Sequence, residues 1–220
     1  MQGESSEIDA RGLRRWAITA RILLGLYAAV ALLPLLGGAW LLSLELGNGY
    51  GYGFALVMSP FLWLAHLVMV LAAIPVLGWF FRARTNLARA GQADLAYSPG
   101  WATFSFLVPF ANLVVPYRSA RELWNRSHGE DVYQSLAAVP QVSTWWTCLL
   151  AGGLIVAILT GMAVFDRLTY VHIVTPPGAN TALCLFAIVL LAGSAISLFR
   201  IIGTVTRAQR DMIGIDLAFA

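Results

Sequence analysis

The chain has 220 residues, of which 59% are hydrophobic and only 11% are charged. This balance excludes a soluble globular protein, because so few charged residues cannot cover its surface. The net charge of +3 comes from fourteen basic residues that are all arginine and that flank apolar runs. Their placement indicates membrane orientation and argues against a nucleic-acid partner.

Four apolar runs each exceed the roughly 20 residues that a membrane-spanning helix needs. They cover approximately residues 22–44, 54–81, 144–165 and 179–199. The predicted fold is an all-α integral membrane protein with four transmembrane helices and one proline-broken helical segment. We expect a single membrane domain over residues 16–203, between tails at 1–15 and 204–220.

The proline-broken segment, residues 98–126, is apolar enough for a membrane but contains three prolines. Ser98 is a suitable N-cap and Pro99 a suitable first helical residue. Pro109 and Pro116 lack an amide donor, and we therefore expect them to free the carbonyls of residues 105 and 112. Such carbonyls must face protein or water at membrane depth. The segment is predicted to be re-entrant or to lie at the membrane interface.

The positions of the arginines decide whether this segment crosses the membrane. If it does not cross, thirteen arginines share one side and only Arg167 lies opposite; if it crosses, the division is eight against six. The positive-inside rule favours the first arrangement. We therefore expect a multi-pass protein of the bacterial cell membrane, with both termini in the cytoplasm.

The second span is expected to continue as a helix to Ala90, before Gly91. On that extension Arg82, Asn86 and Arg89 share one face, whereas Arg84 should point away. The face is either a surface for solvent or headgroups, or an inward face that holds the broken segment. The side chains that could bond its freed carbonyls are Arg82, Asn86, Asn112, Arg118 and Arg121.

Residues 117–126 have the pattern of an interfacial amphipathic helix, with Arg118, Arg121 and Asn125 on the polar face. Glu122 is spaced to pair with Arg126 one turn later.

Small residues recur every fourth position in the last two spans, and such ridges let membrane helices approach closely. We expect either a hairpin of these two spans or a homodimer face. The ridges contain Gly153, Ala157 and Gly161 in one span, and Gly193 and Ser197 in the other.

His66 is the ionisable residue in the middle of a span, where such residues are rare and often functional. It could ligate a haem, relay protons or contact a substrate, or it could be a neutral histidine that is hydrogen-bonded inside the bundle. The other two histidines, at 128 and 172, belong to loops on opposite sides, and so we expect no metal site. No catalytic motif is recognisable, and we predict no cofactor and no catalytic residue.

A set of short motifs between residues 79 and 124 resembles the bacterial membrane family called domain of unknown function 4328. They are Trp79, Arg82-Ala83, Asn86-Leu87, Gly91, Ser98-Pro99-Gly100-Trp101-Ala102, Val108-Pro109, Asn112-Leu113, Pro116-Tyr117 and Arg121-Glu122-Leu123-Trp124. The resemblance implies a multi-pass bacterial membrane protein and supplies no catalytic residues. It leaves a set of candidate ligand or structural residues: Trp79, Arg82, Asn86, Trp101, Pro109, Asn112, Pro116, Arg121, Trp124 and His66.

Three functions remain open. The first is a non-enzymatic membrane module that binds a protein, a second copy of itself or anionic lipid headgroups on the cytoplasmic face. The second is a small channel or transporter that uses residues 101–116, with His66 and Asn112 in its pathway. The third is an intramembrane cofactor protein or enzyme that uses His66.

Overall fold

The computed structural model describes the backbone of residues 2–48, 59–90, 94–169 and 173–219, and the side chains of residues 11–48, 60–90, 94–169 and 173–212. Over this part the chain is helical, without β-strands. The helices are α1 (Gln2–Asn48), α2 (Ser59–Arg89), α3 (Pro99–Phe104), α4 (Ala111–Ser127), α5 (Pro140–Thr169) and α6 (Ala179–Phe219), with a short 3₁₀ turn at Val132–Gln134.

Four of these helices are long and apolar enough to cross a membrane, which confirms the predicted fold class. They contain the segments Arg11–Asn48, Pro60–Arg89, Pro140–Thr169 and Ala179–Met212. Residues 54–58 of the predicted second span, and the predicted helix stop at Gly91, lie outside the described residues. Helix α1 begins at Gln2 and α6 ends at Phe219, so most of the two expected tails is helical. The division into tails and a membrane domain stays a prediction.

The long helices pack side by side in the order α2, α1, α6, α5. At one end of the bundle, Trp79 of α2 donates its ring N–H to the Thr206 hydroxyl of α6 at 2.9 Å. At the other end, the Thr181 hydroxyl of α6 donates to the Glu45 carboxylate of α1 at 2.6 Å. We call the first end, which holds the arginines at the start of α1 and at the ends of α2 and α6, the arginine-rich end. The second is the opposite end.

The best-packed core lies in the half of the bundle near the arginine-rich end. Its largest fully buried apolar side chains come from five helices: Leu13, Trp79, Leu87, Leu123, Val142, Ile202 and Val205. Helices α3 and α4 contribute to this core, whereas α5 is mostly exposed along its apolar stretch. The packing of the half near the arginine-rich end therefore depends on the segment between α2 and α5.

That segment forms a helical hairpin that starts and finishes at the arginine-rich end. Helix α3 runs inward, and the ring of Phe106 beyond it meets Phe80 of α2 edge-on at 5.5 Å. Helix α4 then runs outward along the start of α5. The Trp146 ring N–H donates to the Leu113 carbonyl at 3.2 Å, and the next turn places the Tyr117 hydroxyl 3.0 Å from that of Ser143. The chain thus returns to the end from which it came.

The hairpin is shaped by its capping residue and its prolines. Ser98 caps α3 as predicted, since its hydroxyl accepts the Trp101 amide N–H at 3.2 Å, and Pro99 is the first helical residue. The break comes before Pro109, and the carbonyl of Ser105 accepts a long bond of 3.4 Å from the Val108 amide. None of the five expected side chains holds that carbonyl. Pro116 lies inside α4, which continues through it.

The small-residue ridges do not join α5 to α6. The two helices pack through Gly152 instead, whose α-carbon faces Leu191 so closely that a Cβ there would come within 2.8 Å of the Leu191 side chain. Gly153, Ala157 and Gly161 are exposed, and a Cβ at Gly153, Gly161 or Gly193 would meet no atom within 4 Å. The two spans pack on one another as expected, but the expected contact along the ridges is wrong. On α5 the contact is displaced by one residue, which on a helix is a rotation of about 100°. The homodimer face stays a prediction.

Candidate functional site

A buried ion pair joins α2 to α4 at the arginine-rich end. The Arg84 guanidinium lies 2.8 Å from the Glu122 carboxylate, and the side chains are 0% and 3% exposed. The pair is held in place by the backbone around it. A buried charge is tolerated when hydrogen bonds replace its lost hydration. Both carboxylate oxygens of Glu122 and both terminal nitrogens of Arg84 have such bonds, whereas the Arg84 Nε has no partner among the described residues.

Arg84 donates from one nitrogen to the Ser119 carbonyl at 3.0 Å, and from the other to the Tyr97 carbonyl at 2.7 Å. The second carboxylate oxygen of Glu122 accepts the Ala96 amide N–H at 2.8 Å. We call these five residues the Arg84 clamp. It ties the end of α2, the connection before α3, and the middle of α4 into one unit.

The clamp corrects two sequence-based expectations. Arg84 does not point away from the broken segment, because the hairpin packs on the α2 face that carries Ala83, Arg84 and Leu87. Glu122 pairs with Arg84 and not with Arg126, whose guanidinium donates to the Glu130 carbonyl. A signal was available: Glu122 is the only carboxylate in residues 98–126, and it falls on the face of α4 with Ser119 and Leu123.

Two further amide side chains extend this network. Gln209 of α6 donates through its one amide nitrogen to the Ala83 carbonyl and to the Ser127 hydroxyl, each at 3.0 Å. Asn125 is buried, although it was expected on a polar surface. Its amide nitrogen lies 3.0–3.1 Å from the carbonyls of Gln134, Ser135 and Ala137. The end of α4 and the following loop are therefore fixed by side-chain amides.

The predicted site residues are dispersed over the structure. Trp79 is buried against α6, Pro116 is buried inside α4, and Trp124 stacks on His128 with ring centroids 4.8 Å apart. Arg82, Trp101 and Pro109 are exposed, and Asn112 is half-buried. They do not converge on one point, and none of them forms part of the Arg84 clamp.

Asn86 and Arg121 keep buried donors that lack a partner among the described residues. These are the side-chain amide nitrogen of Asn86 and the Nε of Arg121. The Arg121 guanidinium also lies over the Tyr117 ring, 4.6 Å from its centroid.

A groove of about 300 Å³ runs between α1 and α6 at the arginine-rich end. None of the described side chains that line it is acidic. Two arginines from each helix line it: Arg14, Arg21, Arg207 and Arg210. Arg21 is oriented by Phe199, since its guanidinium lies 4.2 Å from the ring centroid. Its Nε is buried without a partner among the described residues. We call this feature the arginine groove; sequence reasoning counted these arginines but could not pair the two helices.

His66 lies away from both of these features, toward the opposite end. Its Nδ1 is 2.6 Å from the Leu62 carbonyl one turn earlier, and its ring is exposed on the bundle surface and lines a cleft between α2 and α5. Within the described part of the chain, no three His, Cys, Asp or Glu side chains are placed to hold a metal ion.

Comparison with known proteins gives one match. A sequence model of the family described as domain of unknown function 4328 matches residues 55–207, which is well over half of the chain. The chain belongs to this family. No curated protein and no solved structure matches.

The part of the chain matched to domain of unknown function 4328 contains the whole Arg84 clamp and both helices of the hairpin. It ends before Gln209 and excludes the whole of α1. Of the four arginines in the groove, the match includes only Arg207. The clamp therefore belongs to the framework that the family model describes, whereas the groove is completed by parts of the chain outside the match.

Proposed function

We propose that this protein is a non-enzymatic membrane module that binds anionic lipid headgroups at its arginine-rich end, and that this end faces the cytoplasm of a bacterial cell. The arginine groove is the observation that carries the proposal. Four guanidinium groups converge there at the level where the apolar part of α1 begins, and no carboxylate among the described lining residues neutralises them. Arginine is well suited to phosphate, because its planar fork of donors can bind two oxygens.

The orientation rests on the arginine distribution. Thirteen arginines lie at or near one end, and Arg167 alone lies at the other. The cytoplasmic leaflet carries the anionic lipids, so the positive-inside rule and the groove favour the same side.

The expected loss of lipid binding follows from the number of arginines removed. A basic residue near an anionic membrane surface contributes about 1 kcal/mol, so the removal of two should weaken binding by about 2 kcal/mol, or roughly 30-fold.

The test compares two double variants with equal loss of charge. Arg207→Gln with Arg210→Gln alters the groove, whereas Arg118→Gln with Arg200→Gln removes two exposed arginines outside it. Binding of anionic and zwitterionic phospholipids of matched chains is measured by native mass spectrometry of the protein in mild detergent. We expect the groove variant to lose anionic lipid roughly 30-fold, and the control, whose two arginines do not line the groove, to lose clearly less.

Inorganic phosphate serves as a second ligand in the same experiment. Competition by millimolar phosphate would show that a soluble phosphate, and not a lipid, fits the groove. Equal losses in the two double variants would reject the groove as a site.

The cleft that His66 lines does not support the alternative of a channel or transporter that uses residues 101–116. None of residues 98–126 lines it, so Asn112 is not placed beside His66.

A further inference from the structure

A cleft of about 1090 Å³ lies in the half of the bundle toward the opposite end. Helices α2 and α5 form its two sides, and α1 and α6 form its floor, because α2 packs on α1 and α5 packs on α6. The volume is at the upper end of the range for small-molecule pockets, roughly 300–1,000 Å³. The cleft is therefore large enough for a whole amphiphile.

The polarity of the cleft changes along its length. Its floor is apolar, with Ala31 of α1 and Ala187, Ile188 and Leu191 of α6. Its mouth at the opposite end is polar, with the following residues: Glu45, Asp166, Arg167, Thr175, Asn180 and Thr181. An occupant must accordingly have an apolar tail and a polar head, with the head at the mouth.

The length of the cleft fits a lipid of one leaflet. The lining residues of α5 extend from Leu149 to Arg167, which corresponds to about 27 Å of helix. Half of a bilayer including headgroups is about 20–22 Å thick. A phospholipid with its head at the mouth would thus place its chains on the apolar floor.

The charges at the mouth are mixed, in contrast to the arginine groove. Two carboxylates, Glu45 and Asp166, stand beside one guanidinium, Arg167. Glu45 is buried and accepts the Thr181 hydroxyl, and Asp166 accepts the Ile173 amide N–H at 3.2 Å. Among the described lining residues of the mouth, an anionic head would meet two carboxylates and one guanidinium. A zwitterionic head with an amine can place its phosphate near Arg167 and its ammonium near Asp166.

We propose that the cleft between α2 and α5 binds one zwitterionic, amine-bearing phospholipid from the leaflet at the opposite end. The site is separate from the arginine groove and takes a different headgroup. The protein would then hold one lipid class at each end.

The experiment uses a side chain that fills the cleft and a matched control next to it. Gly153 lines the cleft, and a Cβ there meets nothing within 4 Å, so Gly153→Phe should be accommodated in the folded bundle and occupy the site. Leu154 is 62% exposed and does not line the cleft, which makes Leu154→Phe the control. Thr160→Phe, two turns further along α5, is a second filling variant. All variants should melt near the temperature of the parent protein.

The measurement is native mass spectrometry after purification in mild detergent and exchange into vesicles of stated composition. The vesicles contain either phosphatidylethanolamine-type or phosphatidylglycerol-type lipid with the same chains. We expect about one retained amine-bearing lipid per chain, lost on Gly153→Phe and Thr160→Phe and kept on Leu154→Phe. Arg167→Gln should lower the retention of the amine-bearing lipid. Its preference over the anionic lipid should fall by a smaller factor, because both headgroups carry the phosphate that Arg167 would bind.

Three results would overturn the proposal: no retained lipid, retention that Gly153→Phe does not change, or retention of the anionic lipid alone. The measurement is repeated in the Arg207→Gln, Arg210→Gln background. Loss of anionic lipid there with the amine-bearing lipid still bound separates this site from the arginine groove, and loss of both lipids would count against two independent sites.

Discussion

At the scale of single residues, the molecule is organised by a charge pair that lies in its interior. Arg84 and Glu122 are buried, and their hydrogen bonds reach the backbone of α4 at Ser119 and of the connection before α3 at residues 96 and 97. A buried pair of this kind is often no more stabilising than apolar residues of similar size, but the loss of one partner leaves an uncompensated charge. The pair therefore specifies where α4 sits on α2.

Replacement of one partner should destabilise the fold strongly. We expect Arg84→Met to lower the free energy of unfolding by about 3–5 kcal/mol, because Glu122 then stays buried without its cation. Unfolding in mixed micelles with increasing SDS, followed by tryptophan fluorescence, measures the change.

The double variant Arg84→Met, Glu122→Leu is the decisive companion. It should recover most of the loss, since neither charge remains buried. Arg118→Met, at an exposed arginine of the same helix as Glu122, should change the unfolding free energy by less than about 0.5 kcal/mol. Additive losses in the double variant would show that the two residues do not act as a pair.

At the scale of elements, the hairpin of α3 and α4 contains a strained turn at its tip. Phe110 has φ 64° and ψ −44°, and the Ala111 amide donates to the Pro109 carbonyl at 2.8 Å across it. This is a γ-turn with positive φ, a conformation that is rare for residues other than glycine. The Phe110 ring is 85% exposed at the bundle surface, where lipid is expected.

Glycine and alanine at position 110 should separate strain from loss of the ring. Both substitutions remove the aromatic side chain, but only glycine accepts positive φ freely. We expect Phe110→Gly to exceed Phe110→Ala in unfolding free energy by about 1–2 kcal/mol. The same SDS titration measures the difference, and equal stability of the two variants would contradict the turn geometry.

The loop after α4 should depend on Asn125. The side-chain amide nitrogen of Asn125 lies within hydrogen-bond distance of three loop carbonyls. We therefore expect Asn125→Ala to release residues 128–138 from the end of α4 while the spans stay folded. Limited chymotrypsin digestion should cleave after the fully exposed Tyr133 at least about tenfold faster, given about 1–3 kcal/mol for the unsatisfied carbonyls.

Gln134→Ala is the matched control for this loop, because it keeps the backbone carbonyl that Asn125 bonds and removes only an exposed side chain. Similar cleavage rates in the two variants would show that Asn125 does not hold this loop in place.

At the scale of the whole molecule, the two ends of the bundle differ in charge and in packing. The arginine-rich end is closed by the hairpin and contains the largest fully buried apolar side chains, whereas the opposite half contains the cleft. The asymmetry agrees with our proposal that the arginine-rich end lies in the cytoplasm.

Cysteine labelling tests this orientation. In a background without Cys148 and Cys184, a membrane-impermeant maleimide should label Val174→Cys in intact cells and Arg118→Cys only in inverted membrane vesicles. Both positions are exposed, at opposite ends of the bundle. The reverse labelling pattern would contradict the proposed topology and is the pattern expected if the hairpin crosses the membrane, whereas labelling of both positions from one side would mean that α5 does not cross.

The sequence by itself determined the class of the protein, its four spans and the helix start at Ser98, because these follow from local properties: the length of apolar runs, the capping hydroxyl and the fixed φ of proline. Only the tertiary structure decided which side chains meet. A helical pattern gives the angle between Arg82, Arg84 and Asn86, but not which of those directions faces the hairpin. The small-residue ridge on α5 was misplaced because a rotation of one residue about a helix axis changes every contact and leaves the local pattern intact. The partner of Glu122 was missed because it lies on another helix, which spacing within α4 does not reveal.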